Sequence, residues 1–120
     1  MNERVIHLED GSTVEAKVNF ATLYYMEKFK VQGLINKIED DKENNGHGDD
    51  EDNIELMAKM LHVILMSNGR TCTFEEALVL LPLDDIEFEE VLEDFKEKIE
   101  DYKKKQESRR KMTEFTKNLG

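Results

Sequence analysis

Between Ile54 and Met66 the chain reads IELMAKMLHVILM, a stretch in which Ile54, Leu56, Met57, Met60, Leu61, Val63, Ile64, Leu65 and Met66 leave little polar face. A helix that is apolar nearly all round must be the element on which others pack, or must be covered by a partner. The chain has 120 residues, 38% of them charged, which is material for one modest core and not for two. The stretch therefore predicts a single small domain built around one helix. Asn53 stands where a capping residue would begin it, and Asn68-Gly69 supplies the left-handed ending that stops it.

The flanking patterns supply the other elements. Val5, Ile6 and Leu8 lead into Asp10-Gly11, and Thr13, Val14, Ala16 and Val18 follow at near period two, which predicts a β-hairpin over residues 5–18. From Asn19, an N-cap type, the spacing changes to that of a helix through Phe20, Leu23, Tyr24, Val31, Leu34, Ile35 and Ile38, kinked near Gly33. Thr73 with Glu76 has the form of a capping box for a short helix that Pro82 ends. Asp84 or Asp85 opens a last helix with Ile86, Phe88, Val91, Leu92, Phe95, Ile99 and Tyr102 on one stripe. The expected fold is mainly α: a hairpin and about four helices over residues 1–102, then a basic, partly flexible tail over 103–120. Met112, Phe115 and Leu119 would give that tail a final amphipathic turn or two.

Charge is unevenly placed. The chain carries −11 in all, but residues 1–102 hold 26 acidic and 10 basic side chains, and residues 103–120 hold 7 basic and 2 acidic. So acidic a body argues against nucleic acid as a partner, since phosphate contacts need clustered Lys and Arg. The tail is read first as solvated, then as folding back on the body or meeting an acidic partner. With Cys72 as the only cysteine there is no internal disulfide, and a reducing compartment fits. The apolar run from Ala77 is far short of a membrane span and the first ten residues lack a signal core, so a soluble, cytoplasmic protein without membrane contacts is expected.

The densest acidic run, DDKENNGHGDDE, raises a metal question. With Asp41 at position 1, an EF-hand register places Glu43, Asn45, Asp49 and Asp52 as ligands around an obligatory glycine at Gly46. Against it, Glu43 is long for position 3, Gly48 gives no apolar anchor, and Asp52 is short for the bidentate position. The plainer reading is a solvated acidic linker over residues 39–52, with no metal and no cofactor. His7, His47 and His62 have no partner histidine at helical spacing, and His62 reads as a helix-edge residue. Cys72 has no adjacent base, so no catalytic pair is visible and an enzyme is not expected.

Methionine fills irregular gaps in cores and also lines surfaces that accept varied helical partners. Core is the first reading of the methionine-rich helix. The second is a partner-binding surface of Met57, Met60, Leu61 and Ile64 with Phe88, Phe95 and Tyr102 of the last helix.

The order of hairpin, VNFATLYYMEKF, acidic insertion, methionine-rich helix, FEEALVLLPLDDIEFEEVLEDF and basic tail resembles the tail assembly chaperones of long-tailed bacteriophages and prophages, over about residues 1–105. The resemblance lies in size, charge and element order. It implies a helical protein without enzymatic activity in the bacterial host cytoplasm, which binds the long helical tape measure protein, keeps it soluble, and helps recruit tail tube subunits. Members are often made in a second, longer form by frameshifting, and this chain would be the short form. Oligomers are compatible with that reading. Two alternatives from other classes are a small acidic Ca²⁺-responsive binding protein and an acidic inhibitor that mimics DNA.

Overall fold

The computed structural model describes residues 5–46, 49–82 and 85–119, with side chains as far as Lys105. Two short strands, β1 (Val5–His7) and β2 (Thr13–Glu15), pair antiparallel with Ile6 opposite Val14, both buried. Gly11 turns the hairpin at φ 87°, and the Asp10 carboxylate accepts from the Ser12 amide at 2.9 Å. Five helices follow: α1 (Phe20–Lys28), α2 (Val31–Asn45), α3 (Asp50–Ser67), α4 (Phe74–Leu80) and α5 (Asp85–Leu119). The expected order of hairpin and helices is what the chain adopts, with the first expected helix divided in two.

The division falls at Phe29-Lys30 rather than near Gly33, which lies inside α2. Packing explains it. Met26 and Val31 are both buried, yet five residues apart on one helix they would point about 140° from each other. Lys30 takes a left-handed conformation, φ 56°, and resets the helix so that Val31, Ile35 and Ile38 form a new inward stripe.

The helix α3 is the centre of the core. Ala58 and the run from Met60 to Leu65 are buried, and α1, α2, α4 and β2 all pack on it. Its C-terminal end is a Schellman turn: the amide of Arg70 donates to Leu65 O at 2.9 Å and that of Gly69 to Met66 O at 3.1 Å. The same turn holds the hairpin. Asn68 Nδ2 donates to Glu15 O at 3.0 Å, and the Arg70 guanidinium reaches Ser12 Oγ at 2.9 Å and Asp10 at 3.2 Å. Asn19 and Thr73 cap α1 and α4 with capping boxes, closed by Thr22 and Glu76.

Along α5 the inward stripe is Phe88, Val91, Leu92, Phe95 and Ile99, all buried. Ile86 departs from expectation: two residues before Phe88 it points about 200° away, and it is 70% exposed. Asp84 lies outside the described residues. The helix does not end at Tyr102, and its backbone stays helical through the basic stretch to Leu119. Lysine, arginine, glutamine and methionine are good helix formers, neither Gly nor Pro interrupts them, and cations near a helix C-terminus complement its dipole.

Candidate partner-binding groove

Apart from residues 47 and 48, which lie outside the described residues, the acidic run between the first two expected helices is built into helices and their caps, not a linker. Its first part, as far as Asn45, completes α2, which closes on Gly46 in a left-handed cap. Its last part opens α3 four residues earlier than Asn53: the Asp49 carboxylate accepts from the Glu51 amide at 2.8 Å, and Asp50, Glu51 and Asp52 fill the first turn. Acids that would repel one another in a free coil are placed where the helix N-terminus presents unpaired N–H groups and positive potential. Lys37 of α2 then meets Asp52 of α3 at 3.0 Å, clamping the two helices; Asp52's hydrogen bond and charge raise the lysine pKa above its usual value.

This arrangement disposes of the EF-hand geometry. Asp41, Glu43 and Asn45 are on turns of α2, while Asp49 caps α3 and Asp52 lies in its first turn, so the ligand residues do not line one twelve-residue loop. His47 lies outside the described residues. Among the described residues no group of three His, Cys, Asp or Glu side chains is placed to hold a metal.

Between α2, α3 and the first turns of α5 lies an open groove of about 830 Å³. Ile35 and Ile38 from α2, Ile54, Leu56, Met57 and Met60 from α3, and Ile86 and Leu92 from α5 make its apolar floor and walls. Glu39, Lys42, Asp50, Glu89, Glu90, Glu93 and Lys96 rim it, five acids against two bases. Ile54 is 48% exposed, a large apolar side chain held open to solvent beside the still more exposed Ile86. A smaller cleft of about 100 Å³ separates β1 from Pro82, Phe88 and Val91.

The partner-binding residues expected from sequence divide sharply. Met60, Leu61, Ile64, Phe88 and Phe95 are core residues. The reason is geometric: all five belong to one buried cluster, so the stripe that suggested a partner surface is the protein's own core. Met57 is half-buried in the groove, and half-buried Tyr102 lies apart from it, edge-on to the exposed ring of Phe20 at 5.7 Å. Sequence reasoning had Ile54 and Ile86 only as core members. The offset of Ile86 from the inward stripe, two residues before Phe88, was the available signal; Ile54 lies in register with buried Ala58 and Leu61 and gave none.

His62 is buried, not at a helix edge. Its ring stacks on Phe29 at 4.3 Å and its Nε2 donates to Cys72 O at 2.8 Å. That bond goes to the cysteine's backbone and not to its thiol. Burial first, then the charge of Glu76, push the Cys72 thiol pKa upward, opposite to what activates a nucleophile. Among the described residues no helix is long and apolar enough to cross a membrane. In comparisons with protein-family models, curated proteins and solved structures, no match to this chain was found.

Proposed function

We propose that this chain is a tail assembly chaperone for a long-tailed phage or prophage, acting in the host cytoplasm without catalysis, and that the groove between α2, α3 and α5 receives an amphipathic helix of the tape measure protein. The observation that carries the reading is the groove itself: an apolar trough open to solvent, walled by helices and rimmed mostly by acids. A helix laid in such a trough buries its apolar face and leaves its polar face in water. The acidic body keeps the loaded complex soluble, because a net charge of −11 repels other copies. Recruitment of tail tube subunits would follow on the same complex.

The test is co-expression with a tape measure fragment, scored by soluble recovery and co-purification. Substitutions at buried Met60 or Phe95 would unfold the protein and decide nothing, so the informative variants are Ile54→Glu and Met57→Asp, which alter the groove from its open side. Both should lose the fragment while keeping the wild-type circular dichroism. Undiminished capture by the folded variants would remove the groove from the mechanism, and failure of wild type to solubilise the fragment would remove the function.

A further inference from the structure

The two long walls of the groove differ in charge. On α2 a single acid, Glu39, is balanced by Lys42, whereas on α5 Glu89, Glu90 and Glu93 stand against Lys96 alone. The three glutamates are exposed, and they follow Ile86 at helical spacing, so all four lie on one face of α5. Lys96 meets Glu93 at 3.5 Å, and with three acids against one base the wall keeps an excess of two negative charges. Below it the floor is apolar, with Met57 and Met60 beside Leu92. Methionine conforms to varied side chains, so such a floor does little to choose among the helices laid on it. The choice falls to the walls, as the charged flanking positions of a coiled coil choose its partner.

Resting on the reading that the groove receives a helix of another protein, we propose that it selects a helix with Lys or Arg along one flank of its apolar stripe, the flank laid against α5. Opposite charges on the two surfaces favour that helix and disfavour one with acids at the same positions. A helix can enter a trough in either of two directions, and reversal exchanges its flanks. Basic residues on one flank therefore also fix the direction in which the partner chain runs. The flank against α2, where charge is balanced, carries no such requirement.

The test uses the full chain and three synthetic amphipathic peptides of about 18 residues, alike except that one flank of their leucine stripe is lysine, glutamine or glutamate. By fluorescence anisotropy at about 0.05 M salt, the lysine peptide should bind roughly tenfold more tightly than the glutamine one and the glutamate peptide most weakly, the spread narrowing near about 0.5 M. Glu89→Lys with Glu93→Lys should reverse that order in a protein of unchanged helical content. Glu27→Lys with Glu75→Lys makes the same change in net charge at exposed positions outside the groove, and should preserve the order. Equal affinity for the three peptides, no binding of the lysine peptide, an order that survives the groove pair, or one that the remote pair also reverses would each overturn the proposal. None of the peptides contains tape measure sequence, which keeps the two readings separable. A protein that ranks the peptides as expected but leaves the tape measure fragment insoluble would lose the function and keep the selectivity; one that solubilises the fragment but shows no charge preference would do the opposite.

Discussion

The imidazole of His62 lies flat on the ring of Phe29, centroids 4.3 Å apart and planes 8° from parallel, with Nε2 donating to Cys72 O at 2.8 Å. One side chain thus joins the end of α1, the middle of α3 and the segment leading to α4. A carbonyl only accepts, so Nε2 carries the proton. His62→Ala removes the stack, leaves the carbonyl without its donor and opens a cavity against Phe74; the expected loss is about 2–4 kcal/mol. His62→Phe restores the stack but not the donor and should lose about half as much. Urea unfolding of the three proteins checks this, and an alanine variant within about 0.5 kcal/mol of wild type would contradict it.

At the start of α1, Asn19 accepts from the Thr22 amide at 3.0 Å while its own amide donates to Thr22 Oγ1 at 2.9 Å. Thr22 is fully buried, and its hydroxyl lies 3.3 Å from Lys17 O. Asn19→Ala should therefore cost about 1–2 kcal/mol, the upper part of the range for N-caps, because it also loses the bond to Ser67 O. Thr22→Val preserves shape and should cost about 1 kcal/mol through the stranded Asn19 amide. Thermal melts should fall by about 4–8 °C per kcal/mol in a domain of this size.

What was legible in the sequence was local. Asn19, Thr73 with Glu76, and Asn68-Gly69 announce helix ends because the bonds that end a helix are made within a few residues. The central place of α3 was legible because its lack of a polar face admits few other positions. The division at Lys30 was not, since the cause is where Met26 and Val31 must point in the folded core and no Gly or Pro marks the spot. The acidic run was misread because repulsion among like charges is visible in a sequence, whereas the placement of Asp49, Asp50, Glu51 and Asp52 at the N-terminus of α3 is not. The groove was illegible for a related reason: three helices make it, and periodicity gives each helix a face but not its distance from the next.

Lys30 offers a direct test of the division. It holds φ 56° without side-chain capping, in a region that costs a residue bearing Cβ about 1 kcal/mol or more. Glycine avoids that cost but loses more entropy on folding, so Lys30→Gly should stabilise by a few tenths to about 1 kcal/mol. Lys30→Val, branched at Cβ, should destabilise by about 1–2 kcal/mol. If α1 and α2 were one continuous helix the signs would reverse for glycine, which costs about 1 kcal/mol in a helix interior. Urea midpoints for the pair decide between the two.

Two ion pairs set opposite limits on the pH range of the fold. Asp10 lies below its usual pKa of 3.8, held there first by hydrogen bonds from Ser12 and then by Arg70. Its contribution is present above 3.8 and is lost as pH falls through the lower folded value. Lys37 lies above its usual 10.5 because of Asp52, so its contribution is present below 10.5 and is lost as pH rises through the higher folded value. Asp10→Asn should therefore be less stable than wild type near neutrality, with the two stabilities converging as pH falls below 3.8. Asp52→Asn should show the mirror image, a deficit that closes as pH rises past 10.5. The Asp10–Arg70 pair is partly exposed on both sides, whereas Asp52 is largely buried beneath exposed Lys37, so about 0.15 M salt should shrink the Asp10→Asn deficit more than the Asp52→Asn one. Urea midpoints followed across pH provide the measurement: a deficit in Asp10→Asn that stays constant into acid would mean that Asp10 acts through the shape of the turn and not through its charge.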